Sequence, residues 1–407
     1  MKKATKETKF RHKAVRVLLS PLLSFFIRLK YKLKFKHYKA LKNKGPFLIL
    51  GNHTINLDPI IMGLHFPFPV YFIATEQIFN LVFLSRVLKY LVNPIKKSKS
   101  VSDIETIRKV RRIVNEGGSI GIFPEGNTTY TGETSTIQKS TVKLIKMLKI
   151  PVIILNLKGL YLSFPRWSIY KKRGPSSSYI SKIILPDEYL NDTDDELYEK
   201  IKELLYVNAY DDQETSGNLY RGKKLAHGLE KLIFMDLKVN QPFVVYSKNN
   251  KLLSKISDFS LTYTKNGLLV SDTGVTKNLI ELEDELKKSY YKYYLDLKTN
   301  LIYQEKVKLS ESFPTRRSKK ENYLLNLNKD SLVLEKEDDR IIFSFDSIQS
   351  IAMQGKFKII IYLLDKTYLI KLDKYSSIYK YVLTYQFYQH IKTKGDITDD
   401  KFRQFGI

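Results

Sequence analysis

Residues 46–59 read PFLILGNHTINLDP, and this stretch decides the fold class of the N-terminal half of the chain. Its first six residues form an apolar run, which is typical of a short strand buried on both faces. Residues 52–57 then predict a loop. Asp58 and Pro59 predict the start of a helix, because Asp is favoured as an N-cap and Pro at the first helical position.

Apolar strands and amphipathic helices alternate on both sides of this stretch. Strands are predicted at 30–36, 70–74, 119–123 and 151–157, and helices at 78–91, 102–116 and 135–149. This alternation predicts an α/β fold with a mostly parallel sheet and helices on its faces. The loops at 52–57 and 124–134 then share one edge of the sheet, where α/β proteins usually bind ligands.

The pattern changes after about residue 215. A helix is predicted near 221–235, and a cysteine-free, ribbon-like β segment follows at about 232–270. From about residue 289 the chain is rich in β runs, of which YYKYYLDL is the first, and a helix is predicted over 376–392. This last part resembles a pleckstrin-homology-type β-barrel with a closing helix. The alternative is a small β domain that only stabilises the rest of the chain.

The 407-residue chain has a formal charge of +27, and this charge is concentrated at the N-terminus. Residues 1–44 contain 15 lysines and arginines but one acid, Glu7. Such a block attracts nucleic acid or anionic lipid headgroups. The apolar run at 15–27, VRVLLSPLLSFFI, is too short to span a bilayer and is interrupted by Pro21. We therefore expect an interfacial, membrane-anchoring helix, the alternative being a helix packed on its own domain.

Four segments follow from these patterns. They are a basic amphipathic anchoring segment at 1–34, an α/β domain at 35–215, a helix with a ribbon-like β segment at 216–285, and an antiparallel β domain with a C-terminal helix at 286–407. The chain contains no cysteine, which excludes disulfides, thiolate metal sites and a cysteine nucleophile.

His53 and Asp58 are the first candidates for catalysis. A histidine in a loop at the end of a strand can accept a proton near neutral pH, and a neighbouring carboxylate would fix its tautomer. No serine is clearly placed as a nucleophile, so the hydroxyl to be activated would belong to the substrate. The alternative is a loop histidine next to an ordinary helix cap.

A second polar stretch, FPEGNTT at 123–129, also follows an apolar strand. Glycine lets the backbone approach a ligand closely, and amides with hydroxyls can hold phosphate. The alternative is a turn that ends a strand and leaves Glu125 facing solvent.

Together these residues resemble the glycerolipid acyltransferase family, specifically the bacterial 1-acylglycerol-3-phosphate acyltransferases with a C-terminal extension. The family signature N-H-x-x-x-x-D matches Asn52, His53 and Asp58, and the signature F-P-E-G matches residues 123–126. A further block, a strand that begins with proline, matches 150–153, and the resemblance covers about residues 35–210.

The resemblance implies a reaction and a set of site residues. A fatty acyl group would pass from a thioester, either acyl-coenzyme A or acyl carrier protein, to the hydroxyl of lysophosphatidate, forming phosphatidate without an acyl-enzyme. His53 would be the general base, oriented by Asp58, and no metal or other cofactor is expected. The residues implied or considered for binding the acceptor are Glu125, Gly126, Asn127, Thr128, Lys97, Arg166 and Arg173.

The sequence departs from the family at two of these positions. Lys97 stands where the family usually has an arginine, which keeps the charge but loses the bidentate geometry of a guanidinium. Thr128 stands where a basic residue is common. These differences bear on the identity of the acceptor more than on the reaction.

The resemblance also implies a location and leaves two alternative functions. We expect the protein at the cytoplasmic face of the cell membrane, bound to anionic lipids as a peripheral or monotopic protein, and not to nucleic acid. The alternatives are an acyltransferase for another lysolipid and an inactive membrane adaptor on the same fold. The intact His53–Asp58 pair argues against the adaptor. A nucleic-acid-binding protein is a further rival, but no recognisable motif supports it.

Overall fold

The computed structural model describes residues 6–75, 90, 92–97, 104–211, 213, 215–311, 320–398, 402 and 405. The chain divides into two compact units. The first consists of residues 1–165 and 173–221, and the second of residues 166–172 and 222–407. No helix in the described ranges is both long and apolar enough to cross a membrane.

The first unit is built on a seven-stranded sheet. Its strands are β1 Leu33–Phe35, β2 Leu48–Gly51, β3 Val70–Thr75, β4 Ile95–Lys97, β5 Ser119–Ile122, β6 Val152–Lys158 and β7 Ser176–Ile184. They lie in the order β1-β7-β6-β2-β5-β3-β4, and every adjacent pair is parallel except β6 and β7. The predicted α/β fold with a mostly parallel sheet is therefore confirmed.

Both faces of this sheet are buried, as the apolar run at 46–51 predicts. Along β2, Leu48 and Leu50 belong to one hydrophobic core and Ile49 to the other. The helices of this unit are α1 Phe10–Tyr31, α2 Asp58–His65, α3 Ile104–Asn115, α4 Ser140–Leu148, the short α5 Leu160–Ser163 and α6 Asp194–Leu205. Buried residues of α1 and α2 pack into the core that contains Ile49, and those of α3, α4 and α6 into the other core.

Two sequence predictions for this unit need adjustment, and a third stays untested. The strand predicted at 30–36 is only β1, because α1 extends to Tyr31; its alternation is confirmed, with Leu33 and Phe35 buried and Lys34 exposed. The helix predicted at 135–149 begins at Ser140, because the backbone of Ser135 and Gln138 is held by the preceding loop. The helix predicted at 78–91 lies almost entirely outside the described residues.

The second unit begins with short antiparallel strands. These are the pair β8 Met235–Asp236 and β9 Gln241–Pro242, and a five-stranded meander of β10 Val245–Lys248, β11 Lys251–Ser254, β12 Ser260–Tyr263, β13 Leu269–Ser271 and β14 Thr276–Lys277. The helix predicted near 221–235 is wrong, since only the 3-10 turn Leu229–Lys231 forms there. Gly228 interrupts it with a φ of +95°, and a Cβ at this position would lie 2.6 Å from the carbonyl oxygen of Trp167.

A long helix connects the meander to the last sheet. This helix, α7 Leu279–Asp296, includes most of the YYKYYLDL segment that was predicted as a strand. The prediction failed because helical spacing outweighs the β propensity of tyrosine here: Leu286, Tyr290 and Tyr294 are buried at intervals of four residues. Asn278 caps the helix by accepting hydrogen bonds from the amides of Ile280 (2.9 Å) and Glu281 (3.1 Å).

The C-terminal sheet has seven antiparallel strands followed by a helix. They are β15 Leu301–Glu311, β16 Glu321–Asn328, β17 Ser331–Lys336, β18 Asp339–Ser344, β19 Ser350–Gln354, β20 Lys358–Tyr362 and β21 Thr367–Lys371, with α8 Tyr379–Lys394 after them. The order is β18-β17-β16-β15-β21-β20-β19. The predicted antiparallel strands with a C-terminal helix are confirmed. A closed barrel is not, because β18 and β19 end the sheet without pairing to each other in the described part of the chain.

The cap of α7 gives a stability prediction. Replacing Asn278 with alanine removes the acceptor for two amides at the helix start, so we expect the free energy of unfolding of the second unit to fall by about 1 kcal/mol. Denaturant unfolding monitored by circular dichroism measures this change. Asn278→Asp keeps the acceptor and serves as the control. An alanine variant as stable as the parent would contradict the capping role.

Candidate active site

The sheet brings the two motif loops together. His53 follows the end of β2, and residues 123–129 follow β5, which is the parallel neighbour of β2. Parallel neighbours end at the same edge of a sheet, so the loops after them meet there. Their backbones contact directly: the amide of Thr129 donates to the carbonyl oxygen of His53 at 2.8 Å.

The imidazole of His53 is held by Asp58. Nδ1 of His53 lies 2.9 Å from Oδ2 of Asp58; the histidine side chain is 17% exposed, and the aspartate is fully buried. A carboxylate facing Nδ1 favours the tautomer with the proton on that nitrogen. Nε2 then carries the free lone pair, which makes it the atom that can take a proton from a substrate.

The turn between the two residues fixes the carboxylate. Oδ2 of Asp58 accepts hydrogen bonds from the amides of Thr54 (2.5 Å) and Ile55 (2.8 Å), and the Thr54 hydroxyl lies 3.1 Å from Oδ1. The predicted N-cap role of Asp58 is wrong in detail. Leu57 occupies the N-cap position and Asp58 is the first helical residue, with its carboxylate turned back to the preceding turn. These donors satisfy a buried carboxylate that would otherwise be costly to desolvate.

Phe123 supports the other side of the imidazole. Its ring stacks on that of His53 with centroids 4.4 Å apart and an interplanar angle of 24°. Phe72 stacks in turn on Phe123, with centroids 6.3 Å apart. The hydrogen bond to Asp58 and this stack together fix the direction in which Nε2 points.

Glu125 connects the two loops from a buried position. Its Oε1 accepts the amide of His53 at 2.5 Å, and its Oε2 accepts the amide of Ser135 at 2.8 Å. Burial raises the pKa of Glu125 to about 8, although the two amides act in the opposite direction. Each side-chain oxygen of Glu125 thus accepts a hydrogen bond from a backbone amide. This makes Glu125 a positioning residue for His53. Its predicted contact with the acceptor stays a prediction.

Four of the remaining predicted binding residues lie in two places. Gly126 is exposed, with a φ of +74°, next to the partly exposed Asn127 and the buried Thr128. Arg173 is exposed, and its backbone forms a bridge with that of Arg221.

The two other predicted binding residues are Lys97 and Arg166. The backbone of Lys97 forms the end of β4, but its side chain is outside the described part of the structure. Arg166 belongs to the second unit, where its guanidinium donates to the carbonyl oxygens of Met353 and Gly355. The binding roles of these residues stay predictions.

Sequence reasoning assigned no role to three residues that hold the site. Thr54 binds Asp58, the amide of Ser135 binds Glu125, and Phe123 stacks on His53. Phe123 follows a strand that pairs with the one before His53, so the predicted sheet could have suggested its position. Ser135 is ten residues from Glu125, and no local pattern signals that contact.

Comparison with known proteins finds similarity to acyltransferases. The family model described as Acyltransferase matches residues 32–158. The 1-acyl-sn-glycerol-3-phosphate acyltransferase of Borreliella burgdorferi is 29% identical over 105 residues, which cover 26% of this chain and 42% of that protein. The protein of the same name from Saccharomyces cerevisiae is 24% identical over 168 residues, which cover 39% of this chain and 54% of that protein.

Among solved structures, the chain is similar to the crystal structure of the 1-acyl-sn-glycerophosphate acyltransferase of Thermotoga maritima, with 20% sequence identity and a TM-score of 0.40. The match covers 49% of this chain and 80% of that one. The chain spans about half the length of the curated relatives that it matches. The family match contains both motif loops. Residues 32–158 of this chain are similar to the Acyltransferase family, and the His53–Asp58 pair lies within this matched segment.

Proposed function

We propose that this protein transfers a fatty acyl group from a thioester to the free hydroxyl of 1-acylglycerol 3-phosphate, forming phosphatidate. The observation that carries the proposal is the His53–Asp58 hydrogen bond inside the acyltransferase domain. The names of the matched relatives support the choice of acceptor.

The geometry supports a general-base mechanism. Nε2 of His53 takes the proton of the acceptor hydroxyl while the oxygen attacks the thioester carbonyl carbon. A C–O bond forms, the C–S bond of the donor breaks, and the proton is passed on to the leaving thiolate. Asp58 stabilises the imidazolium that exists between these two proton transfers. The donor is either acyl-coenzyme A or acyl carrier protein; the carrier is acidic and would suit the basic surface.

We also propose that α1 holds the protein on the cytoplasmic face of the membrane. Its exposed face is apolar, with Phe10, Val17, Leu18, Leu22, Phe25, Phe26 and Leu29 each more than half exposed. Exposing such a contiguous apolar face to water is unfavourable, and the face fits the acyl boundary of a bilayer. The basic residues of α1 and its flanks would contact anionic headgroups.

For the C-terminal β domain, we propose a pleckstrin-homology-type fold. Seven antiparallel strands followed by one helix support this assignment. Such a domain could bind lipid or protein, and either partner would suit an enzyme that works at a membrane surface.

Activity assays test the proposed base. In protein reconstituted on vesicles with lysophosphatidate, we expect His53→Ala to lower kcat by about 10²- to 10⁴-fold, the usual contribution of a positioned base. His37→Ala, an exposed histidine of the same unit, is the matched control and should keep activity. Equal activity of parent and His53→Ala would remove His53 from the mechanism. An inactive parent with both thioester donors would contradict the assigned acceptor.

Kinetics of Glu125→Gln test the positioning role. A glutamine places an NH₂ group against one of the two amides, so the His53 loop should shift and kcat should fall by about 10²-fold. Because Glu125 contacts backbone, we expect the KM for lysophosphatidate to stay near that of the parent. Glu133→Gln, in the same loop region, is the control. A large rise in KM with kcat unchanged would instead indicate direct contact with the acceptor.

Vesicle binding tests the apolar face of α1. The double variant Leu18→Glu with Phe25→Glu places charges where we expect hydrocarbon, so binding to phosphatidylcholine–phosphatidylglycerol vesicles should weaken by at least about tenfold. Cosedimentation measures this loss. Leu364→Glu, which changes an exposed leucine of the second unit, should have little effect. If the double variant binds like the parent, α1 is not the anchor.

A further inference from the structure

Residues 166–172 belong to the second unit and carry three cationic side chains. The turn between β19 and β20 brings a fourth, and we call Arg166, Lys171, Lys172 and Lys356 the cationic cluster. Arg166 donates to the carbonyl oxygens of Met353 (3.3 Å) and Gly355 (3.3 Å), which ties the segment to this turn. In the opposite direction, the ammonium of Lys356 donates to the carbonyl oxygen of Ser168.

Lys172 is the buried centre of the cluster. Lys172 is only 3% exposed. Its Nζ lies 4.5 Å from the centroid of the Trp167 ring and 4.7 Å from the centroid of the Tyr263 ring. Nζ is also 3.5 Å from the Ser168 hydroxyl. Aromatic faces and a hydroxyl attract a cation but carry no negative charge. Among the described residues, Lys172 has no carboxylate partner.

The charges that act within the cluster have the same sign. Burial, and then the neighbouring charge of Lys356, lower the pKa of Lys172 to about 7. Burial, and then Lys231, Lys171 and Arg166, lower the pKa of Lys356 to about 7. An anion placed among these groups would favour their protonated forms and offset the repulsion. Binding of an anion would therefore stabilise this arrangement of cations.

We propose that the cationic cluster is a binding site for a phosphate group, carried either by free phosphate or by a phospholipid headgroup. Lysine offers phosphate a point charge, and arginine offers a planar fork of donors. Arg166 and Lys356 are partly exposed and Lys171 is exposed, so they can contact the ligand, while Lys172 adds positive potential from the interior. The site is formed within the second unit and does not depend on the proposed acyl transfer.

The chain provides a local probe of this site. Trp167 is its only tryptophan, and its ring lies next to the ammonium of Lys172. Tryptophan emission of the full-length protein should therefore change as a phosphate group binds. We would titrate the protein with sodium phosphate, with a short-chain phosphatidate that remains monomeric, and with sodium chloride at matched ionic strength. No acyl donor is present, so the measurement is independent of enzymatic activity.

We expect a saturable change with phosphate or phosphatidate that chloride does not reproduce. Lys356→Ala should weaken this binding by about tenfold, as expected for loss of one charged contact. Lys356→Arg keeps the charge and should restore binding. Lys366→Ala, which changes an exposed lysine in the turn between β20 and β21, should behave like the parent. Should Lys356→Ala fail to fold, Lys171→Ala removes an exposed charge of the same cluster.

The outcomes separate the two sources of the phosphate group. A response to inorganic phosphate indicates that the free ion is sufficient, whereas a response confined to phosphatidate indicates a lipid headgroup; both support the site. The proposal is overturned if neither ligand changes the emission or if chloride gives the same change. It is also overturned if the cluster variants bind as tightly as Lys366→Ala.

Discussion

The hydrogen bond between Asp58 and Nδ1 of His53 is the interaction on which the proposed chemistry of this protein depends. It leaves Nε2 of a partly exposed imidazole as the proton acceptor, while the carboxylate that orients it is fully buried. Burying that carboxylate is possible because the amides of Thr54 and Ile55 and the Thr54 hydroxyl surround it with donors. The short turn before α2 therefore determines both the position of the imidazole, the proposed base, and its favoured tautomer.

The parallel pairing of β2 with β5 supplies the second constraint. It places the 123–129 loop against His53, where Phe123 stacks on the imidazole and Glu125 binds its backbone amide. Glu125 also holds the amide of Ser135, so one buried side chain fixes two loops at the sheet edge. A site built this way holds the imidazole of His53 in one orientation and leaves Gly126 of the neighbouring loop exposed.

The sequence predicted the parts of this structure that local patterns control. Apolar runs such as PFLILG predicted the central strands, and the resemblance to the N-H-x-x-x-x-D signature predicted the pairing of His53 with Asp58. Predictions failed where tertiary contacts determine the local structure. The helix expected near 221–235 is interrupted at Gly228, which lies close to the backbone of Trp167. Residues 290–296, expected to be a strand, belong to α7 because their buried tyrosines follow helical spacing. The partners of Glu125 come from two separate loops, and no local signal indicates them. The charge pattern suggested lipid but could not identify the cluster around Lys172, because Lys356 joins it from a turn 188 residues beyond Ser168 in the chain.

The most direct test of the central claim is the tautomer of His53, measured by ¹⁵N NMR of the imidazole nitrogens in the full-length protein near neutral pH. We predict that the neutral form of the ring carries its proton on Nδ1, with Nε2 free to accept a proton, and that Asp58→Asn removes this preference. A ring protonated at Nε2, or a tautomer ratio that Asp58→Asn leaves unchanged, would contradict the account, because His53 would then lack the lone pair that the proposed reaction requires.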